Sequence, residues 1–368
     1  MEILLNKFKK NNIKNIAKIF LAVLIIVGAV IFTKFDYFLY EEMIGTVIEI
    51  DNKEFQAEND KRESYCIQKL KIKIRNTQDK GEIVTAENKF LYSEVNTTEY
   101  KKGDDVFIEE SEIGSTDVII IKSKIDTYVI FILLSFIAII ILIAGKKGVL
   151  SLISLLLNIG IFILALNNFV RSENIVFTTS LVTVLFISLT LILLNGLSKK
   201  SLGAIISSFI TVIIIFIIYM ITFQFGERPY FEMMDYIFGN ENLEALFLTS
   251  VIFGSLGAIM DVTITINSTV SEIVSTAINP TVGALIKSVK EVSNDIMGTM
   301  INVLFFSYLS GSIPLFIIKA KNGYSFMNLV RYDVVFEILR FLTGSIGIVM
   351  AIPVSGLVAI LIHKKRLK

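Results

Sequence analysis

What this chain can fold into is governed by eight apolar runs, seven of them 17 residues or longer and nearly free of charge. The first, Ile19–Phe32, is short; the others are residues 128–144, 149–169, 175–194, 201–223, 243–266, 297–318 and 338–362. About 30 Å of hydrocarbon takes roughly 20 residues of helix to cross, so these runs predict membrane spans. Hydrophobic residues make up 54% of the chain and charged ones 19%, against about 45–50% and about 25% in soluble domains. With no Trp in the chain, an interfacial aromatic belt falls to Tyr and Phe. The expected fold is an α-helical polytopic membrane protein of about eight transmembrane helices, with a small extracytoplasmic β-rich domain after the first helix.

Charge orders the runs. Lys7, Lys9, Lys10, Lys14 and Lys18 precede the first one, and Thr33, Lys34, Phe35 and Asp36 after it form no small-residue cleavage site. Residues 1–35 therefore read as a basic N-terminus and an uncleaved signal anchor, with the lysines cytoplasmic. If every run crosses, Lys146, Lys147, Lys199, Lys200, Lys364, Lys365, Arg366 and Lys368 fall on that same side. Glu173, Glu227, Glu232, Asp235 and Glu241 fall opposite, and Lys319, Lys321 and Arg331 are a mild exception there. This predicts that both termini are cytoplasmic, the lipid bilayer being the chain's first partner. The paired lysines before Gly148 and before Ser201 also hint at a duplicated two-helix unit.

Residues 36–126 differ in kind. They hold 13 Lys and Arg against 21 Asp and Glu, a net of −8. Strand-like stretches occur at Ile44–Ile50, Tyr65–Ile74, Glu82–Ala86, Asp105–Ile108 and Val118–Ile121, with period-two alternation through Lys69–Ile74. Turn signals at Lys102-Gly103-Asp104 and Ile113-Gly114-Ser115 separate them. A small barrel, OB-like among several all-β options, is expected here. Residues 127–368 then form a seven-helix bundle with a basic cytoplasmic tail.

The chain has one Cys, Cys66, and one His, His363. An HExxH zinc site, a His-Cys cluster or a Ser-His-Asp triad cannot be assembled from that inventory. No cofactor and no nucleic-acid partner is expected, and any ion site would use oxygen ligands.

Oxygen ligands concentrate between residues 253 and 318. Asp261, Thr265, Ser268 and Glu272 recur at helical spacing, as do Glu291, Asp295, Thr299 and Asn302. Carboxylates within a membrane need a partner or a hydrated cavity. Two such stripes predict a site for a cation or proton where they converge, with Gly254, Gly257, Ala258 and Gly298 allowing close helix approach. The plainer alternative is that Thr, Ser and Asn only hold helices together and that Glu272 and Glu291 sit in water. Asn279-Pro280 is expected to break the chain, and the amphipathic stretch Val282–Ile296 to lie along or dip into the inner surface. Glu337 and Arg340 are placed to pair at the outer surface. Pro314 and Pro353 predict kinks or hinges.

Several of these segments resemble the YibE/F family of bacterial multi-pass membrane proteins. The likeness rests on Gly145-Lys146-Lys147-Gly148, on Phe253–Asp261 with Ser268 and Glu272, on Asp295–Asn302, and on Gly344–Ile348 with Ala351-Ile352-Pro353. It covers residues 128–362, and the N-terminal half adds no matching motif. The resemblance implies a polytopic plasma-membrane protein in which transport is suspected, and a joint role for Asp261, Glu272, Asp295, Thr299 and Asn302. Two functions from different classes follow. One is a transporter or permease whose polar site binds a cation or proton. The other is a non-catalytic scaffold or sensor whose outer domain binds a ligand or partner. An intramembrane aspartyl hydrolase is disfavoured, since no GxGD-type motif is present, and no enzyme is expected. A homo-oligomer is compatible with either reading.

Overall fold

The structure is a computed structural model that describes residues 2–56, 64–91, 97–111, 117–171, 174–225, 242–277 and 280–364. The turn at 113–115, the segment 226–241, Asn279 and the last four residues lie outside them. The chain divides into two compact units, residues 1–148 and 149–368.

The first unit opens with helix α1 (Glu2–Lys34) and a short 3₁₀ turn (Tyr37–Leu39). Five strands follow: β1 (Ile44–Gln56), β2 (Ser64–Ile74), β3 (Ile83–Leu91), β4 (Asp105–Glu110) and β5 (Val118–Ser123). All pair antiparallel in the order β3-β2-β1-β4-β5. A parallel bridge between Thr85 and Asp117 brings the two ends of the order together, so the sheet nearly closes as the expected small barrel. Alternation works as predicted: Leu70, Ile72 and Ile74 are buried while Lys69 and Lys71 are exposed. Val47, Val84, Val106 and Ile108 complete the core. Gln68 is fully buried and satisfied. Its amide donates to Asn52 Oδ1 and to the Tyr100 carbonyl, and its oxygen accepts from Asn88 and from the Tyr100 N–H.

The helices are α2 (Asp126–Arg171), α3 (Ile175–Asn195), α4 (Lys199–Phe225), α5 (Leu243–Thr276), α6 (Val282–Lys321), the short α7 (Phe326–Leu329), a π turn (Val330–Val334) and α8 (Val335–His363). Asn174, Asn242 and Thr281 cap α3, α5 and α6, each accepting from the N–H three residues on. Among the described residues seven helical stretches are long and apolar enough to cross a membrane. The expectation was eight, and α2 accounts for the difference. Residues 126–169 form one 44-residue stretch, about 66 Å at 1.5 Å per residue and twice the hydrocarbon thickness. Gly145 interrupts it with φ +57° and ψ −128°, a backbone conformation favouring glycine, between the two runs that were read as separate spans.

A second departure concerns α6. Residues 282–296 are not a separate surface helix; they continue into the following run as one 40-residue helix. Leu285, Val289 and Ser293 bury its early face, and Val289 packs beside Gly356 of α8. Pro314 and Pro353 stand inside α6 and α8, which run on past them.

Within the second unit α8 packs against α4, α5 and α6. Small residues make this possible. A Cβ at Gly347 would lie 2.3 Å from Ile215 of α4 and 3.5 Å from Ile259 of α5. One at Gly344 would meet Leu304 of α6 and Ser255 of α5. These contacts fix the directions: α5 and α8 run parallel, with α4 and α6 antiparallel to them.

Candidate functional site

Helix α5 is polar on two faces, and packing decides which is inside. The inner face carries Ser255, Thr263 and Asn267, all buried among Val262, Ile266 and Val270. Opposite them, α4 presents the buried Ser207, Ser208 and Thr211. Ser208 and Thr263 share a hydroxyl hydrogen bond of 2.8 Å, and Asn267 Nδ2 donates to the Thr263 carbonyl at 2.8 Å and reaches Ser207 Oγ at 3.5 Å. Gly203 lets the helices meet, since a Cβ there would fall 2.0 Å from Asn267 Oδ1. On α8, Ser355 is fully buried, and Gly347, Gly356, Ala351 and Ala359 line the same seam. Gly347 lies level with Ile259 and Ile215, and Ile362 with Gly203, so Ser355 falls level with Asn267 and Ser208. Among the described residues the hydroxyls of Ser154, Thr183, Tyr308, Ser345 and Ser355 are buried without a hydrogen-bond partner. His363, one residue beyond the last apolar run, is buried at the end of α8 with Nδ1 3.0 Å from the Ala359 carbonyl.

The two stripes expected to converge do not meet in the bundle interior. Asp261, Glu272, Glu291, Asp295, Thr299 and Asn302 are exposed, and Thr265 and Ser268 are half-buried. The Thr265 hydroxyl donates to the Asp261 carbonyl and that of Thr299 to the Ile296 carbonyl, both within their own helices. Among the described residues no hydrogen bond or ion pair joins Asp261 to Asp295, and no three His, Cys, Asp or Glu side chains are grouped to hold a metal. Of the packing residues, Gly254 faces Tyr308, whose hydroxyl would lie 2.1 Å from a Cβ there, and Ala258 packs on the core. Gly257 and Gly298 face open space. Periodicity grouped these residues into stripes. It gave no means of ranking them against the hydroxyl-rich face that packing selected. The usable signal was the coincidence of Ser207, Ser208 and Thr211 on α4 with the small-residue stripe on α8.

Ion pairs gather at the opposite end of the bundle. Glu337 and Arg340 pair at 2.6 Å as expected, but both side chains are largely buried. Arg340 also donates to Ser250 Oγ and lies over the Phe247 ring. Lys319 pairs with Asp333 of the π turn at 2.6 Å.

In the first unit one cation is almost wholly enclosed. Lys124, with a side chain 1% exposed, lies 2.7 Å from Asp36 and 2.9 Å from Asp126. It also donates to the Thr33 carbonyl. Tyr40 donates to Asp126 at 2.5 Å, and Tyr37 to Asp105. Burial works against the charge on Lys124, but hydrogen bonds and charge from Asp36 and Asp126 outweigh it and hold the ammonium above the ordinary lysine range. The bond to Asp126, then burial, pushes Tyr40 up to about 12. A cavity beside this cluster is lined by Lys34, Asp104, Asp105, Lys124, Thr127 and Tyr128. The cluster ties the end of α1, the base of the sheet and the start of α2 into one joint.

A small, nearly closed β sheet joined to long apolar helices with a buried hydroxyl–amide seam is the class that fold and site define. The YibE/F-like protein family matches residues 132–365, and the YibE/F family N-terminal domain matches residues 38–123. The chain belongs to the YibE/F family, and the likeness extends into the N-terminal β domain, where the sequence motifs had found none. No curated protein and no solved structure matches it.

Proposed function

We propose that this chain is a multi-pass membrane protein of permease type that passes a small cation or proton along the seam between α4, α5 and α8. One observation carries the reading. Ser207, Ser208, Thr263 and Asn267 cluster in the interior, with the partnerless Ser355 hydroxyl level with them. A buried hydroxyl without a partner costs about 1–3 kcal/mol, which favours a visiting water or ion. Neutral oxygens from Ser, Thr and Asn suit a hard, weakly charged cation. The small residues of α8 let the neighbouring helices shift without repacking large side chains.

The test is flux of protons, Na⁺ and K⁺ into liposomes containing the purified full-length chain. Flux of one of these ions should exceed that of empty liposomes. It should fall about tenfold or more in Ser208→Ala/Thr263→Val at unchanged thermal stability. Flux equal to that of empty liposomes, or unaffected by the double substitution, overturns the proposal.

A second reading, a sensor, is favoured by the Lys124 joint, which is built to transmit strain from the sheet to two helices. The net charge of −8 over residues 36–126 would draw a cationic ligand or partner to the sheet. Deleting residues 40–122 separates the two: a permease retains flux, and a sensor loses every response.

A further inference from the structure

We infer that the exposed polar face of α5 and α6 is the contact between two copies of this chain, with Asp261 of each copy accepting from the Asn302 amide of the other. The inference rests on the membrane reading above and not on transport.

Depth makes the first part of the case. Ile259 of α5 and Ile215 of α4 both pack against Gly347, so they lie at one level. Asp261 is two residues further along and therefore level with about Ile213, near the middle of the apolar stretch Lys199–Thr222. It is nevertheless exposed. A carboxylate at mid-span facing lipid is strongly disfavoured, so this face must meet protein or water.

The chain itself offers little to meet it. Neither neighbouring hydroxyl is available, since Thr265 and Thr299 donate to carbonyls of their own helices. The apolar stretch of α1 ends at Thr33, whose hydroxyl also bonds its own helix. The first half of α2, residues 129–144, has Ser135 as its one polar side chain.

Asn302 has the chemistry that Asp261 lacks. It too is exposed on an apolar helix, and its amide makes no hydrogen bond among the described residues. Tyr308 packs on Gly254, and Leu304 and Ser255 meet at Gly344. Because α5 and α6 are antiparallel, these contacts set Asp261 level with residues 298–302. Two copies inserted in the same orientation are related by a two-fold axis along the membrane normal, which preserves depth. An acceptor and a donor at equal depth on exposed faces can then pair reciprocally, once on each side of the axis. Gly257 and Gly298, each with open space where a side chain would be, allow the helices to approach.

The experiment uses the full-length chain with Cys66→Ser, reconstituted in nanodiscs. Oxidising Asp261→Cys/Asn302→Cys should give a covalent dimer on a denaturing gel, whereas Leu342→Cys/Leu357→Cys on an exposed face of α8 should stay monomeric. Native mass measurement of the parent chain should find two copies. Asp261→Leu and Asn302→Leu should each weaken self-association about tenfold or more, and the double variant should be little weaker than either. A monomeric parent overturns the inference, as does a disulfide that closes within one chain. So does a bond from Asp261→Cys to Ser135→Cys of the same chain. A dimer without flux would sink the permease reading alone, and a monomer with flux would sink this inference alone.

Discussion

At the scale of single residues, the sharpest energetic commitment is at Lys124. Its ammonium neutralises carboxylates on both sides of the joint, and Asp36 is almost as enclosed as the lysine. Lys124→Met would leave buried negative charge uncompensated, a loss of about 3–5 kcal/mol. Thermal unfolding of the purified full-length chain should show a transition several degrees lower, with Asp126→Asn milder because that side chain is partly solvated. The joint also has a pH signature. Tyr40 is held protonated up to about 12, above its unfolded value near 10. A raised folded pKa means that the folded form binds the proton longer, so this stabilisation is complete below about pH 10 and disappears as pH rises through 12. Lys124 is shifted in the same direction and adds to the same alkaline loss. In a spectrophotometric titration Tyr40→Phe should shrink the late-ionising tyrosine component by one residue; an unchanged late component would contradict the assignment. Nothing in the sequence separates Lys124 from Lys122 two positions away, which is exposed and pairs loosely with Glu42 at 3.5 Å. Lys122 lies in β5 and Lys124 just past its end, and it is packing against the end of α1 that encloses the second.

Among the elements, legibility followed the strength of the local pattern. The strands were recoverable because β2 and β3 alternate on a pleat and turn residues mark the breaks between strands; β4, which buries Val106, Phe107 and Ile108 in a row, begins at Asp105 as read, and β1 runs six residues past its expected end. The helix ends were harder. Val282–Ile296 is amphipathic, as a surface helix would be, yet its apolar stripe is used against α8 and the helix simply continues. Amphipathicity reports that one face is buried without saying by what. The same limit explains α5, where both faces hold hydroxyls and only the glycines of its neighbours reveal the inner one. Those glycines are testable. Gly203→Val would force a branched side chain into the space of Asn267, whose amide is committed to the Thr263 carbonyl. Overpacking of this kind costs about 1–3 kcal/mol. The same substitution at Gly257, where open space surrounds the helix, should leave thermal stability of a single copy within about 0.5 kcal/mol. Equal losses at both positions would show that the seam is not where α4 and α5 meet.

For the molecule as a whole, the directions of the helices make a prediction about sidedness that composition alone could not. Thr179 of α3 bonds Thr249 of α5, and Phe186 of α3 packs on Phe253, so α3 runs with α5. With α4 and α6 opposed to α5 and α8, the end of α3, the starts of α4 and α6 and the ends of α5 and α8 all lie at one end of this unit. That end carries Lys199, Lys200, Lys287, Lys290 and Lys364. The other end holds Glu337 with Arg340 and Lys319 with Asp333, cations already paired with carboxylates. Lys319 was an exception to the charge rule in the sequence, and pairing to Asp333 removes much of its weight as a topological signal. Among the described residues Lys199, Lys200, Lys287, Lys290 and Lys364 make no ion pair, and the positive-inside rule predicts that their end is cytoplasmic. In a Cys66→Ser background, Leu197→Cys at the lysine end should resist a membrane-impermeant maleimide applied to intact cells and react after permeabilisation. Tyr324→Cys at the opposite end should react in intact cells. Both residues are exposed, so access is set by the bilayer and not by burial. If both label from outside, or the pattern is inverted, the charge asymmetry does not orient this bundle.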